Sequence, residues 1–245
     1  MASVRTALWL AGALAASACD RGARADARPG AEPPAAHAKL ERADVIRYHM
    51  QLHFDDLRAI ERYLIAGQLK EARALAFMIA MPEKDRGLLP WAREAIALVD
   101  TAGKLAQAKS VDEALRLEVQ VAVACAKCHD DTSETAVFPL PGRPPLSDHA
   151  SSTVRMVRHQ WATDRLWEGL VGNSEDHWRA GLAVITETPL PYSVATDAPA
   201  LAASLQKRAN QTLREAPLTI EERGRVYGEM LVTCAACHST IKRAK

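Results

Sequence analysis

The chain has 245 residues, of which 48% are apolar, and 31 basic against 30 acidic side chains leave a formal net charge of +1. That length allows one large or two small domains with a real core, and so even a charge balance gives no reason to expect a nucleic-acid partner. Aromatics make up only 5% of the residues and alanine is abundant, a composition that suits close-packed helices better than sheets.

The N-terminus carries Arg5 and then an apolar run from Ala7 to Ala18, broken only by Gly12 and Ser17. The run is too short to span a bilayer as a helix and has the form of a secretory signal. It ends Ala16-Ser17-Ala18-Cys19, which resembles a bacterial lipobox, with alanine where leucine is usual. Residues 1–19 are therefore expected to be a signal segment and Cys19 the lipidated residue of an exported, periplasmic protein. Cleavage near Ala18 as an ordinary signal peptide is the alternative, and it exports the chain as well. Residues 20–38, rich in Ala, Pro, Arg and Gly, read as a flexible tether.

A first helix is expected from Leu40 to about Ala66, where Met50, His53, Phe54, Leu57, Ile60 and Leu64 recur at spacings of three and four and so share one face. A second follows Gly67 and stops before Pro82, and a third lies between Pro90 and Gly103. The fourth begins at Ser110, because Ser110-Val-Asp-Glu113 is a capping box. Fifteen residues after Ser110 stands Cys125.

Residues 131–147 contain Pro139, Pro141, Gly142, Pro144 and Pro145 and read as a semi-rigid linker. The rest repeats the first plan. Met50 and His53 recur 106 residues on as Met156 and His159, and Gly67 has a counterpart in Gly172. Thr219-Ile-Glu-Glu222 is a second capping box, again fifteen residues before a cysteine, Cys234. Pro189, Pro191 and Pro199 are expected to bracket a loop ahead of the third helix of this half. No segment has a convincing strand pattern. The expected fold is all-α, a tandem pair of four-helix bundles over 39–130 and 148–245, made by internal duplication.

Cys125-Ala-Lys-Cys128-His129 and Cys234-Ala-Ala-Cys237-His238 are the residues that point to chemistry. On a helix, thiols at i and i+3 face the same way. They can form thioethers to the two vinyl groups on one edge of a haem, and the adjacent His129 or His238 can then reach the iron as proximal ligand. Two covalent haems c are expected. A thioredoxin-like dithiol would need alternating strands and helices, and a four-cysteine zinc site leaves both histidines unexplained.

A haem motif ending the last helix of a four-helix unit resembles cytochrome c prime and its low-spin relatives, over residues 40–130 and 148–245 of this chain. The strings HMQLHFDDLRAIERYLIAGQLKEARA and HQWATDRLWEGLVG look like a family of two-domain bacterial cytochromes. The resemblance implies that each haem lies in an antiparallel bundle, flanked by the first and last helices. Only seven residues follow His238, so a sixth ligand for that haem comes from upstream. A ligand set shared by both halves is either His53 with His159 or Met50 with Met156; His49 and His149 lie near by without matching. Without such a ligand both irons are five-coordinate.

His37 and His177 have no counterparts and are expected at the surface, and Trp161, Trp167 and Trp178 are expected to pack a haem. The expected role is an electron carrier, not an enzyme, with a redox protein as partner and contact with the membrane through the lipid anchor only. The alternatives are gas binding of the cytochrome c prime kind and a two-haem peroxidase. Peroxidases of that family are longer and carry their motifs near the start of each domain.

Overall fold

The computed structural model describes residues 35–81, 92–132, 136–147, 149–189 and 197–243; the expected signal segment, Cys19 and most of the tether fall outside them. Among the described residues the chain is all-α, with eight helices and no strand. They are α1 (Ala35–Ile65), α2 (Leu69–Ile79), α3 (Ala92–Ala106), α4 (Val111–Thr132), α5 (Ser152–Val171), α6 (Glu175–Glu187), α7 (Ala198–Leu213) and α8 (Ile220–Arg243). None of the described helices is long and apolar enough to cross a membrane.

The helix ends follow the sequence with three differences. Helix α1 starts at Ala35, inside the expected tether, and α3 runs past Gly103 to Ala106. Pro199 sits in the first turn of α7 rather than in the loop before it. A first-turn proline is tolerated because its φ is already helical and its missing N–H has no intrahelical acceptor. The capping box at α8 forms in full, and at α4 its serine half does. Thr219 Oγ1 accepts from the Glu222 amide (3.2 Å) while Glu222 Oε2 accepts from the Thr219 amide (2.9 Å). At α4, Ser110 Oγ accepts from the Glu113 amide (3.1 Å) and Glu113 reaches back to the Lys109 amide (2.8 Å). Helix α1 leads into Gly67 at φ 73° and α5 into Asn173 at φ 46°. These left-handed positions are again 106 residues apart, so the turn is duplicated although its residue type is not.

Within each half the helices pack in sequence, and the first also contacts the fourth: α1 on α4, and α5 on α8. Across the halves α4 packs on α8 and on α5, and α1 packs on α8. One apolar core joins Leu57, Ile60, Leu64 and Leu115 of the first half to Leu166, Leu170, Val226 and Leu231 of the second. The halves therefore share a core instead of each enclosing its own. The proline-rich segment lies over this seam: Phe138 stacks on Phe54 with ring centres 5.5 Å apart, and Arg143 pairs with Glu187 at 3.1 Å.

Helices α4 and α8 cross antiparallel at close range. A methyl group added at Gly228 would lie 3.5 Å from Val119 Cγ2, and one at Gly224 only 2.5 Å from Val123 Cγ2; further along, Lys127 pairs with Glu221 at 2.8 Å. Val119 and Gly228 are equivalent positions of the two halves, so an approximate two-fold axis passes through the crossing. Gly224→Ala should cost about 1–3 kcal/mol by overpacking, and Val123→Ala added to it should recover most of that loss; urea unfolding of the two variants checks this.

Candidate functional site

The crossing determines where the motifs stand. Cys125 lies six residues beyond Val119, and Cys234 six residues beyond Gly228 in the opposite direction. At 1.5 Å of rise per residue the two first cysteines are separated by roughly 18 Å along the helix pair. Four cysteines so divided cannot share one zinc ion, whose sulfur ligands lie at about 2.3 Å. Among the described residues no three His, Cys, Asp or Glu side chains form a metal-holding group. The four motif cysteines are free thiols. Burial pushes Cys125 and Cys234 up to about 12 and raises Cys237.

The motif histidines stand where α4 and α8 near their ends, and both are half-buried. His129 Nδ1 lies 3.1 Å from the Val171 carbonyl at the end of α5. A ring braced through Nδ1–H presents Nε2 as its metal-binding nitrogen, the arrangement in which a second hydrogen bond fixes a ligand histidine.

Helices α5 and α8 run antiparallel, since Tyr227 donates to the Thr163 carbonyl (3.3 Å) and Arg223 to the Gly169 carbonyl (2.9 Å). Four residues back along α5 and four forward along α8 from the first contact bring His159 level with Leu231, one turn before Cys234. His53 and His159 are both buried, 4% and 6% exposed, whereas Met156 is 36% exposed and Met50 half-buried. Burial holds His159 below the ordinary imidazole value, so it is neutral at pH 7, the form that binds metal. Its Nε2 lies 2.9 Å from the Thr188 carbonyl. The histidine pair is thus matched in burial, with His159 held by a backbone carbonyl as well.

A polar groove of about 590 Å³ opens beside Lys127, Asp130, Asp131 and Glu221. Lys127, Asp130 and Asp131 project from the side of α4 opposite Cys125, Cys128 and His129, so this groove is not where those thiols point.

One expectation is corrected. His177 is buried, 7% exposed, with Nδ1 2.9 Å from Ser174 Oγ; it closes the start of α6 instead of facing solvent. Each of the three tryptophans lies against a guanidinium, Trp161 with Arg165, Trp167 with Arg58 and Trp178 with Arg223. The side chains of His37 and His49 lie outside the described residues.

A buried polar cluster at the two-fold axis escaped the sequence reading. Arg58 bridges the halves, donating to Glu61 (2.6 Å) and Tyr227 (3.3 Å) and pairing with Asp164. Tyr227 donates to Glu61, and the Trp167 indole donates to Glu118 (3.3 Å). Glu61 and Glu118 are both fully buried, and one oxygen of each has no hydrogen-bond partner. Burial and the neighbouring Glu61 carboxylate, opposed by Arg58 and the indole, lift Glu118 to about 8. The sequence signal was available: each acid stands in an apolar stripe, Glu61 between Ile60 and Leu64, and Glu118 between Leu115 and Ala122.

Comparison with known protein families, curated proteins and solved structures gives no match to this chain.

Unfolded, Glu118 has an ordinary value of 4.5, and folded it keeps its proton up to about 8. The native state binds more protons across that window, so stability falls as pH rises through it. Glu118→Gln keeps the shape and can still accept from Trp167. It should flatten that decline, which in the wild type is on the order of a few kcal/mol; urea midpoints from acid to mildly alkaline pH measure it.

Proposed function

We propose that this chain is a c-type cytochrome carrying two haems, one on Cys125 and Cys128 with His129 as proximal ligand, the other on Cys234 and Cys237 with His238. Its role in this reading is that of an electron carrier, exported and held at a membrane by lipid on Cys19, that exchanges electrons with a redox partner protein. The observation that carries it is the pair of CxxCH motifs, one at each end of a single antiparallel helix pair, with His129 braced to leave Nε2 for iron. The finer architecture proposed is a four-helix unit per haem, with α1 and α5 supplying the distal sides.

When bound, each haem supplies a one-electron couple whose potential is set by its axial ligands and burial. The chain's own part is to hold and orient. The thioethers prevent loss of the group outside the cell, and Val171 fixes the His129 ring. The shared core keeps the two attachment turns at a constant separation. His53 and His159 are favoured over Met50 and Met156 as sixth ligands because both histidines are buried, while Met156 is 36% exposed. A second reading, gas binding at the second haem, is favoured by one contact: the Thr188 carbonyl holds His159 Nε2 and so leaves that iron open to an external ligand.

Protein matured with haem-attachment machinery should retain two haems per chain through acid-acetone extraction, and the double variant Cys125→Ala, Cys128→Ala should retain one. Zinc in place of haem, or a single haem in the wild type, would remove the reading. His53→Ala should convert the first haem to a high-spin form that binds carbon monoxide rapidly. If the second haem of the wild type already binds carbon monoxide at that rate, gas binding takes over there. Cys19→Ser should shift the protein from the membrane to the soluble fraction.

A further inference from the structure

The carboxylate pair Glu61 and Glu118 lies between the two haem attachment turns and has no counterpart pair by symmetry. The two-fold axis maps Glu61 onto Trp167 and Glu118 onto Tyr227, so both acids belong to the first half and both hydrogen-bond donors to the second. Glu118 stands two turns before Cys125 on the same face of α4, close enough to act electrostatically on that thiol; Glu61 acts in the same way on Cys234. The groups facing Glu118 are Arg58 and Glu61 from α1, Trp167 from α5 and Tyr227 from α8; Asp164 of α5 and Arg62 of α1 act on Glu61. Helix α3 also packs on α4 and brings the apolar Leu98, Ala102 and Leu105 to the core.

With every acid ionised the cluster would hold three negative charges against Arg58 alone. Burial raises Glu61 as well, but its two donors, Arg58 and Tyr227, oppose that shift. Glu118 has only a neutral indole and an oxygen without a partner. A proton entering the cluster therefore resides on Glu118, and Asp164, whose side chain is 35% exposed, is the cluster's opening toward solvent.

Resting on the two-haem reading, we infer that Glu118 takes up a proton from solvent when the haem on Cys125 and Cys128 is reduced, so that electron transfer to that haem is coupled to proton transfer into the interface between the halves. The step balances: one electron from the redox partner turns ferric iron to ferrous, and one proton turns the Glu118 carboxylate to carboxylic acid at Oε2, leaving the local charge unchanged. The sign follows from Coulomb's law in a dry interior. A ferric haem core carries a positive charge that favours the carboxylate, and the ferrous core is neutral and lets burial restore the acid. The coupling spans the pH range in which the oxidised protein has lost the proton and the reduced protein still holds it. The upper limit of that range is close to the value of about 8 that burial and the Glu61 carboxylate, opposed by Arg58 and the Trp167 indole, give Glu118.

The test is a spectroelectrochemical titration of the full-length two-haem protein across neutral and mildly alkaline pH, with infrared difference spectra of the same samples. The potential of one haem should fall as pH rises, by up to about 59 mV for each tenfold drop in proton activity, and level off above the range of the acid. Reduction should produce a protonated-carboxyl band that shifts in heavy water, a readout that needs no variant. Glu118→Gln should remove both the slope at that haem and the band, leaving the other haem as in the wild type. Two bound haems with pH-independent potentials, or a slope and band unchanged in Glu118→Gln, would overturn the coupling while leaving the cytochrome reading intact. A chain that bound no haem would overturn both, and covalent haem content measured first separates the two failures.

Discussion

The antiparallel crossing of α4 and α8 is the constraint on which the rest of the molecule depends. Gly224 and Gly228 allow the two backbones to approach, and Val119 and Val123 fill the space that glycine leaves. Because Val119 and Gly228 are equivalent positions, the same crossing creates the approximate symmetry and places one cysteine motif at each end. A looser crossing would separate the Arg58 cluster, lift Phe138 from Phe54 and break the shared core into two smaller ones. Smaller cores bury less apolar area per residue and are correspondingly less stable.

At the axis, charge is buried where an apolar plug would ordinarily be more stable. Arg58 is 5% exposed and Glu61 fully buried. Removing either partner of such a pair leaves an uncompensated charge, typically worth about 3–5 kcal/mol, so the cluster makes the relative register of the halves strict without adding much net stability. Its bonds repeat across the axis with their chemistry changed. Tyr227 donates to Glu61 on one side, and on the other Trp167 donates to Glu118 from the equivalent place. Arg58 meets Asp164, its own counterpart, across the axis.

Helix boundaries were legible because they rest on local chemistry: the caps at Ser110 and Thr219, the glycine after α1, prolines in the linker. The cysteine motifs were legible because their spacing is the chemistry. The packing of the halves was not, because amphipathic periodicity says which face is buried and not what covers it. The sequence showed Leu57, Ile60 and Leu64 as a buried stripe, and a partner within the first half sufficed to account for it. Only the three-dimensional arrangement brings Tyr227 onto Glu61. His177 was misplaced for the same reason: a histidine without a repeat counterpart looks expendable until Ser174 and the turn before α6 are seen to need it.

The changed chemistry at the axis also makes the two halves non-interchangeable. If the first half paired with a copy of itself in the same geometry, Arg58 would face Arg58, Glu61 would face Glu118 with no donor between them, and Val119 would meet Val119 where glycine is now required. A self-paired second half would set Asp164 against Asp164 and leave a void between two glycines at position 228. Like charges in a desolvated contact repel strongly, and an unfilled void forfeits dispersion contacts. Each half is therefore a poor partner for its own kind and a good one for the other, so the pairing is directed by repulsion as much as by attraction. A pair of identical subunits must place the same residues on both sides of its axis. One chain with two diverged halves is free of that requirement, which is how both acids come to lie on one side and both hydrogen-bond donors on the other.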